Sequence, residues 1–600
     1  MCGIAGILTK QQDCSSLIES MGASLNHRGP DGRGLFIDKE QGVYLSHNRL
    51  SIIDLSSNAR QPIYSEDNNV LAVVNGEIYN FTDLREHLKQ KGHQFRSTGD
   101  SEVVVHAYEQ WGEDFVNRLD GMFAFCLWDK KENKLVLARD AIGIKPLYFL
   151  RTDKILVFAS EIKAFLQLPK KLYTPTISRL AAQTLLTFSI IPQDNLTILE
   201  GIEKLPPGHM LIAGNGEVKF KEFWKLNSSG IEATISFSDA CGQLEERLLK
   251  AVKAHLQSDV GLGVLLSGGV DSSLIAAMAA KVLKEPILTF TAGFDHPKDE
   301  RSYAESVARS LGSRHISFTI NPNEVFLKIE ELMESFDDLS SVDGGFITTF
   351  LIAQRIKQSG IKVVLSGEGA DEIFGGYPWF MLADFPFNIL PQGLRNRLYY
   401  CRISKNLTRP GVSLGSALMN DFIGSLNQED IFRQVSGFEI RRQLPNSFLM
   451  KVDKAAMAHG VEVRVPYLAK EIVEFVYNLP KDFKRRRRVM KFGRVEGKSI
   501  LRCVAQKYIS REIAFRRKQG FMLPVDRVLQ SNGDKVRSYL LEPNSFARNM
   551  LEAKELEDLL SPRGCSVFPF SKQKEALLWR LFVLEIWHKK FLKMSENRQF

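Results

Sequence analysis

Residues 263–283, GVLLSGGVDSSLIAAMAAKVL, decide the fold predicted for the larger part of this chain. The apolar run 264–266 predicts a buried strand, 267–269 a tight loop, and 270–283 a helix. A loop that opens a helix presents free N–H groups and the positive end of the helix dipole, which suits a phosphate. No lysine follows the glycines, so this is not the Walker A pattern. A plain left-handed turn between strand and helix is the alternative.

A second stretch, VVLSGEGADEIFGGY at residues 363–377, has the same form. Its strand ends at Ser366 and is followed by the acids Glu368, Asp371 and Glu372. Ligands bind at the carboxyl ends of parallel strands. Several carboxylates beside a polyphosphate need a counter-ion, and Mg²⁺ is the natural one. The alternative is a helix that begins with favourable acids.

The distribution of strand-like and helical patterns along the chain predicts two domains and a linker. The first ~210 residues contain short strand-like runs with few helices, which favours an α+β layered domain. After a turn-rich segment, compact apolar strands alternate with amphipathic helices, as expected for an α/β parallel sheet, and from about Tyr377 the pattern is mostly helical. We place the domains at 2–215 and 236–600, with a linker at 216–235.

The chain opens MCGIAGI, which places a thiol at position two. If Met1 is removed, as its small neighbour leads us to expect, Cys2 carries both a thiol and a free α-amine. Such an amine has a pKa near ~8 and can activate the thiol as a nucleophile. A buried, inert cysteine is the alternative.

Other residues of the first half suit a carboxamide substrate. Asn75 and Gly76 offer N–H donors for an oxyanion, and Glu77 adds a carboxylate. Arg49 suits an α-carboxylate and Asp100 an ammonium. Asn75-Gly76 alone also predicts a hairpin turn. HRGPDGRG, at 27–34, predicts either a surface loop or a mobile cover over the thiol.

Composition narrows the function classes. The 600 residues are 44% hydrophobic and 25% charged, with a net charge of +9, which is typical of a globular protein and permits anionic substrates. Seven scattered cysteines without a CxxC pair argue against a disulfide framework or a zinc site. No signal peptide or membrane-spanning run is visible, so we expect a cytoplasmic protein. The run Lys484–Arg488 predicts a solvated face or loop, with nucleic-acid binding a remote alternative.

Taken together, the motifs resemble the glutamine-hydrolysing asparagine synthetases. The ordered matches are MCGIAGI, HRGPDG, RLSIID, NGEIYN, TGDSE, GMFAFCLWD, RDAIGIKPLY, LSGGVDSS, LSGEGADEIFGGY and EVRVPYL. The resemblance implies an N-terminal-nucleophile glutaminase with an αββα sandwich, followed by an α/β ATP-pyrophosphatase domain with a largely helical C-terminal part. It implies a ligase that uses glutamine, ATP and Mg²⁺ to convert aspartate to asparagine through β-aspartyl-AMP, with ammonia passing through an internal tunnel.

The resemblance also assigns residues. It implies catalytic roles for Cys2, Asn75, Gly76, Glu368, Lys454 and Lys518. Glutamine would be bound by Arg49, Leu50, Ser51, Ile52, Ile53, Asn75, Gly76, Glu77 and Asp100. ATP would be bound by Leu266, Ser267, Gly268, Gly269, Asp271, Ser272, Ser273, Ala292, Ser366 and Gly367, and Mg²⁺ by Asp271 and Asp371. It allows a homodimer and implies neither a nucleic-acid nor a membrane partner.

Two departures leave the acceptor open. Ala469 stands where the family commonly has Asp after RVPFL, and FDDLSSVDGG at 336–345 differs from the family's usual FDEPFADSS. The same chemistry on another carboxylate, such as a cell-wall precursor or secondary metabolite, is therefore the alternative. A decayed, non-catalytic nucleotide-binding protein would lack catalytic residues, and none of those above is missing.

Overall fold

The structure is a computed structural model that describes residues 1–227, 235–294, 299–339, 341–342, 345–384, 386–403, 431–487, 495–517, 523, 525–560 and 570–596. Two antiparallel sheets form the N-terminal part, in the orders β10-β8-β9-β1-β3-β2 and β12-β11-β7-β6-β5-β4. Their strands are β1 Gly3–Leu8, β2 Gly32–Asp38, β3 Val43–Arg49, β4 Ile63–Tyr64, β5 Val70–Ile78, β6 Gly121–Asp129, β7 Lys134–Arg139, β8 Tyr148–Arg151, β9 Leu156–Ala159, β10 Ile202–Lys204, β11 His209–Gly214 and β12 Glu217–Glu222.

Helices cover both outer faces of this sandwich. They are α1 Ser15–Ser24, α2 Phe81–Gln90, α3 Val103–Trp111 and α4 Arg179–Phe188. Side chains such as Val43, Val73 and Trp128 fill the space between the sheets. The helix α1 packs against the first sheet, and α2 and α3 pack against the second. This confirms the predicted αββα sandwich.

Differences in burial explain why β2 and β3 have different hydrophobic patterns. The strand β3 is buried along its whole length because it has a sheet on one face and α1 on the other. The strand β2 lies at the sheet edge and alternates between intermediate and exposed residues. A central strand of a four-layer sandwich therefore reads as a continuous apolar run, whereas an edge strand keeps the period of two.

The predicted linker needs one correction. The strand β12 lies within 216–235, yet it pairs with β11 in register from His209↔Glu222 to Gly214↔Glu217. The turn at Asn215 and Gly216, both with positive φ, closes this hairpin. The second sheet therefore extends through Glu222, beyond the expected boundary at 215.

A parallel sheet of order β15-β14-β13-β16-β17 organises the second part. Its strands are β13 Leu262–Leu265, β14 Leu288–Gly293, β15 Arg314–Thr319, β16 Val363–Leu365 and β17 Glu462–Arg464, and β18 Arg485–Arg487 pairs with β19 Val495–Gly497 separately. The first helices are α5 Phe237–His255, α6 Val270–Leu283, α7 Arg301–Ser310, α8 Pro322–Ser335, α9 Gly345–Gln358, α10 Ala370–Phe374 and α11 Gln392–Ile403.

The remaining helices complete the domain. They are α12 Ile431–Phe438, α13 Leu449–Met457, α14 Lys470–Asn478, α15 Lys481–Lys484, α16 Ser499–Ala505, α17 Arg511–Ala514, α18 Val525–Ser531, α19 Gly533–Leu541, α20 Phe546–Met550, α21 Ala553–Leu560 and α22 Phe570–Glu596, with a π-helical segment Glu439–Phe448 between α12 and α13. Helices pack on both faces of the parallel sheet, α5 and α6 on one and α9 and α13 on the other. The expected α/β domain with a helical C-terminal part is confirmed.

Candidate active sites

The first site is built around Cys2, which directly precedes β1. The N–H of Cys2 donates to Asn75 Oδ1 at 3.0 Å, and Arg28 Nε donates to the Cys2 carbonyl at 3.0 Å. Arg28 is fully buried and also contacts Glu161 and Asp453, at 2.7 and 2.8 Å. The HRGPDGRG segment at 27–34 is therefore anchored in the interior at Arg28, whereas Pro30 and Asp31 are exposed and the segment continues into β2 from Gly32.

Asn75 and Gly76 lie inside β5, opposite Ala124 and Phe123 of β6, so the hairpin-turn interpretation is wrong. Asn75 is buried, and its Nδ2 has no hydrogen-bond partner among the residues the structure describes. Gly76 has φ +149°, and a Cβ there would lie 2.0 Å from the Met122 carbonyl oxygen. Only glycine fits this position.

One pocket joins most of the residues expected to bind glutamine. Its lining includes Cys2, Arg49, Leu50, Ile52, Ile53, Gly76, Glu77 and Asp100. Ser51 and Asn75 are not part of the lining; the Ser51 N–H instead donates to Asp31. The lining also contains Met1, Ala59, Gln61, Ile63, Ser97, Gly99, Ser101 and Glu102, which sequence reasoning did not select. Their proximity to Asp100 in the STGDSE stretch was the available signal for the last four.

Electrostatics in this pocket follow from burial. Burial raises the pKa of the Cys2 thiol, although the N-terminal charge and the Leu50 N–H act in the opposite direction. Burial, with Glu462 nearby, also raises the pKa of Glu77 well above its usual range, while Arg464 at 3.2 Å opposes this. Arg49 is held by the carbonyls of Asp54 and Ser56.

Met1 connects this pocket to the second part of the chain. Its ammonium lies 3.0 Å from Glu462 Oε2, with both groups fully buried. Glu462 also accepts from Arg464 Nε at 2.6 Å. Removal of Met1 would leave the α-amine of Cys2 as the new N-terminus in the pocket.

The second site is the loop between β13 and α6. The Ser267 N–H donates to Ser272 Oγ at 3.1 Å, and the two hydroxyls lie 3.0 Å apart. Gly268 has φ +71°, and a Cβ there would lie 2.6 Å from the Ala304 nitrogen. The side chains and backbone thus form the predicted strand–loop–helix cradle.

The loop after β16 lies beside this cradle because β13 and β16 are adjacent parallel strands. A Cβ on Gly367 would lie 2.9 Å from the Ser272 nitrogen. Leu266 and Ala292 are buried at the neighbouring strand ends. The two chemistry-bearing stretches of the sequence therefore meet at one edge of the sheet, as parallel-strand geometry requires.

Lys498 joins the two expected metal ligands. Its Nζ lies 2.6 Å from Asp271 Oδ2 and 2.7 Å from Asp371 Oδ1. Asp271 Oδ1 is buried without a hydrogen-bond partner among the described residues. Two carboxylates held around one cation, with a spare buried oxygen, fit the oxygen donor set that Mg²⁺ prefers. Sequence reasoning missed Lys498, which has no motif of its own and is 127 residues from Asp371 in the sequence.

Of the two expected catalytic lysines, Lys454 is among the described residues and Lys518 is not. Lys454 is fully buried and pairs with Asp337, and its Nζ lies 5.0 Å from the centre of the Tyr148 ring. Burial lowers the pKa of Lys454, but Asp337, Glu161 and Asp338 outweigh it and raise the pKa. Lys518 lies outside the described residues, so its role stays a prediction.

The first two residues of the basic run Lys484–Arg488 are not exposed to solvent. Lys484 and Arg485 are buried, with Lys484 Nζ donating to the Val476 and Tyr477 carbonyls. Arg485 pairs with Asp384 and donates to the Gly375 carbonyl. These cations cap carbonyls and pair acids inside the second domain, which corrects the surface interpretation; Arg488 lies outside the described residues.

The structure describes Ala469 and part of the 336–345 segment, the two places where the sequence departs from the family pattern. Ala469 is the N-cap of α14 and offers no side-chain cap. In the 336–345 segment, Asp338 accepts from the Tyr148 hydroxyl at 2.8 Å, beside the Lys454–Asp337 pair. The Asp that Ala469 replaces would thus act at a helix terminus, as capping residues do.

An αββα sandwich with Cys2 in a pocket that Arg49 and Asp100 also line, followed by a parallel sheet with a phosphate cradle, defines a two-site amidotransferase–synthetase. Family models agree: a glutamine amidotransferase domain matches residues 1–224, and asparagine synthase matches residues 243–589. The chain belongs to the family of glutamine-hydrolysing asparagine synthetases.

Curated relatives match over most of their length. The chain is 29% identical to asparagine synthetase [glutamine-hydrolyzing] 1 of Bacillus subtilis (strain 168), covering 98% of this chain and 96% of the relative. It is 33% identical to asparagine synthetase [glutamine-hydrolyzing] 2 of Arabidopsis thaliana, covering 87% and 78%. A solved glutamine phosphoribosylpyrophosphate amidotransferase from B. subtilis covers 53% of this chain and 81% of its own, at 17% identity and a TM-score of 0.28.

Proposed function

We propose that this protein is an ATP-dependent ligase that converts aspartate to asparagine with nitrogen from glutamine, yielding glutamate, AMP and pyrophosphate. One observation carries the proposal: Arg464 bridges the two sites. Its guanidinium pairs with Glu77 of the glutamine pocket, and its carbonyl oxygen accepts the Ser366 N–H at the nucleotide edge, at 2.8 Å. This buried connection supports a mechanism in which the two sites act together.

Glutamine hydrolysis is assigned to Cys2. Once Met1 is removed, the α-amine accepts the thiol proton as the sulfur attacks the carboxamide carbon. The amine then returns a proton to the leaving nitrogen, which departs as ammonia, and water hydrolyses the thioester to glutamate. Asn75 Oδ1 is engaged by the Cys2 N–H, so its Nδ2 is left to donate to the oxyanion, together with the Gly76 N–H.

Adenylation is assigned to the second edge. The β-carboxylate of aspartate attacks the α-phosphorus of ATP, and pyrophosphate leaves. The cradle at 267–273 would bind the phosphates through N–H groups and hydroxyls. Ammonia then attacks the acyl carbon of β-aspartyl-AMP, and AMP leaves. Glu368, Lys454 and Lys518 are proposed to assist formation of this adenylate and to stabilise its charge.

Asp271 and Asp371 would hold Mg²⁺ at this edge. When bound, Mg²⁺ neutralises the negative charge of the triphosphate and of the departing pyrophosphate. Lys498 keeps the two carboxylates together and supplies positive charge beside them.

Ammonia transfer is proposed to run between the halves. A small cavity is lined by Leu147 and Tyr148 from the first half and by Pro445 and Met450 from the second. The Lys454 Nζ lies 5.0 Å from the centre of the Tyr148 ring, so this cavity is close to a proposed synthetase residue. The tunnel itself stays a prediction.

A pyrophosphate-release assay tests the function. Purified protein is given ATP, Mg²⁺ and glutamine with a panel of carboxylic acids, and we expect turnover with aspartate above all others. The names of the relatives favour aspartate over another acceptor. Absence of AMP formation with every acceptor would overturn the proposal, and intact mass measurement would show whether Met1 is removed.

Localisation and assembly follow as finer proposals. No described helix is long and apolar enough to cross a membrane. The cysteines that the structure describes with side chains are free thiols, which supports a reducing, cytoplasmic setting. A homodimer is proposed from the family resemblance, and light scattering of the purified protein tests it.

A further inference from the structure

Two histidines and two glutamates converge away from Cys2, on the outer side of the second sheet. They are Glu66 on the β4–β5 turn, His93 just after α2, and His106 and Glu109 on α3. His106 and Glu109 are three residues apart and therefore share one face of their helix. The ligands come from three separate chain segments, so the fold, and not local sequence, brings them together.

The distances match those between ligands of one small ion. His93 Nδ1 lies 3.2 Å from Glu66 Oε1 and 3.7 Å from Glu109 Oε2. His106 Nδ1 lies 3.3 Å from Glu66 Oε2 and 3.4 Å from Glu109 Oε2. A tetrahedral Zn²⁺ with bonds of about 2.0–2.1 Å has ligand atoms about 3.3 Å apart. One atom from each of the four residues can be chosen so that all lie within 4.8 Å of one another.

A further carboxylate, that of Glu102, lies near the other ring nitrogen of His106. Glu102 Oε1 lies 3.6 Å from His106 Nε2, and Glu102 is itself fixed by the N–H groups of Arg96 and Ser97 at 2.8 and 2.7 Å. Metal-bound histidines commonly present their other nitrogen to such a carboxylate, which orients the ring. His106 Nε2 is buried and makes no hydrogen bond with any described residue, so a small movement of Glu102 would complete this arrangement.

The cluster needs positive charge. Glu66, Glu102 and Glu109 surround His106, whose side chain is only 1% exposed. A divalent ion would supply positive charge to these carboxylates, and those of Glu66 and Glu109 are partly open to solvent.

We propose that Glu66, His93, His106 and Glu109 bind one Zn²⁺ ion. Two imidazoles and two carboxylates are a donor set that suits zinc, and four protein ligands make a closed, structural site. The ion ties the β4–β5 turn to α2 and α3. Through Glu102 and Ser97, both in the lining of the pocket at Cys2, it also holds the loop that closes one side of that pocket.

Zinc titration tests the site directly. Tag-free full-length protein is stripped with a chelator and titrated with ZnCl₂ by calorimetry, with MgCl₂ as the comparison salt. We expect one Zn²⁺ per chain, retained through gel filtration, and a higher melting temperature. Folded protein that binds no Zn²⁺ would overturn the proposal and leave a cluster held by histidine–glutamate hydrogen bonds alone.

Variants locate the ion. His93→Gln and Glu109→Gln change partly exposed ligands, so we expect folded proteins with at least about tenfold weaker Zn²⁺ binding. His87→Gln alters an exposed histidine on α2, which stacks on Trp111 and lies outside the cluster, and should bind as the parent does. Unchanged affinity in both ligand variants would show that the zinc is elsewhere and would overturn the assignment.

The effect on catalysis rests on the proposed function and is measured separately. Loss of zinc should raise KM for glutamine and leave ammonia-dependent synthesis unchanged. The zinc titration measures binding and does not depend on enzyme activity. A failure of the proposed zinc site can therefore be distinguished from a failure of the proposed function.

Discussion

The pocket around Cys2 and the edge around Asp271 solve opposite problems. At Cys2, the groups nearest the reacting atoms are backbone N–H groups and an amide, held just before β1 and inside β5. At Asp271, two carboxylates and Lys498 come from three distant segments and are held by charge. A neutral carboxamide needs donors aimed at one developing oxyanion, whereas a triphosphate needs its charge balanced. The difference teaches that preorganisation comes from strands at one site and from ion pairs at the other.

The substitution with the largest expected effect abolishes the activity of one site and leaves the activity of the other. Cys2→Ala removes the nucleophile, so glutamine-dependent synthesis should fall by a factor on the order of 10⁴ or more. Synthesis from ammonium chloride should stay near the parent rate, because the second edge is untouched. Parallel assays with glutamine and with ammonium measure this, and loss of both activities would contradict the independence of the sites.

Asn75 tests the claim that neutral donors act at the first site. Asn75→Ala removes Nδ2 from the oxyanion site and should lower kcat for glutaminase by about 10²–10³. Steady-state kinetics with glutamine measure it. Asn75→Asp keeps the acceptor for the Cys2 N–H but not the donor, so it should be equally slow; a rate near that of the parent would contradict the role.

Lys498 tests the claim that charge holds the second site. Lys498→Gln removes the ammonium that pairs with both Asp271 and Asp371, so we expect pyrophosphate release to fall on the order of tenfold or more. Glutaminase activity should not change. Lys498→Arg is the control that keeps the charge and should lose less; equal losses would indicate that shape and not charge matters there.

Ala469 gives the smallest expected effect. Ala469→Asp places an acceptor at the N-cap of α14 and should stabilise the protein by about 1 kcal/mol. Thermal unfolding measures it, with Ala469→Asn as an uncharged capping control. A changed KM for aspartate without a gain in stability would instead indicate a role in acceptor binding.

Much of the site could be predicted because its chemistry lies in short motifs. The cradle at 267–273 and the acids after β16 follow from strand ends and glycines that local sequence displays. Lys498 could not be found in this way, because a lone lysine gives no signal until the fold brings it to Asp271. The burial of Lys484 and Arg485 was missed for the same reason: a basic run looks solvated until carbonyls and Asp384 surround it.

The sequence by itself determined the identities and local geometry: a cysteine at position two, a strand–loop–helix cradle, and the order of two domains. Local patterns suffice for these because residue types and their spacing along the chain are enough to predict them. Only the tertiary structure decided that Asn75 and Gly76 belong to a strand, that Arg464 bridges the two sites, and that two histidines meet two glutamates. Those facts depend on contacts between distant segments, which hydrophobic burial selects and adjacent residues do not encode.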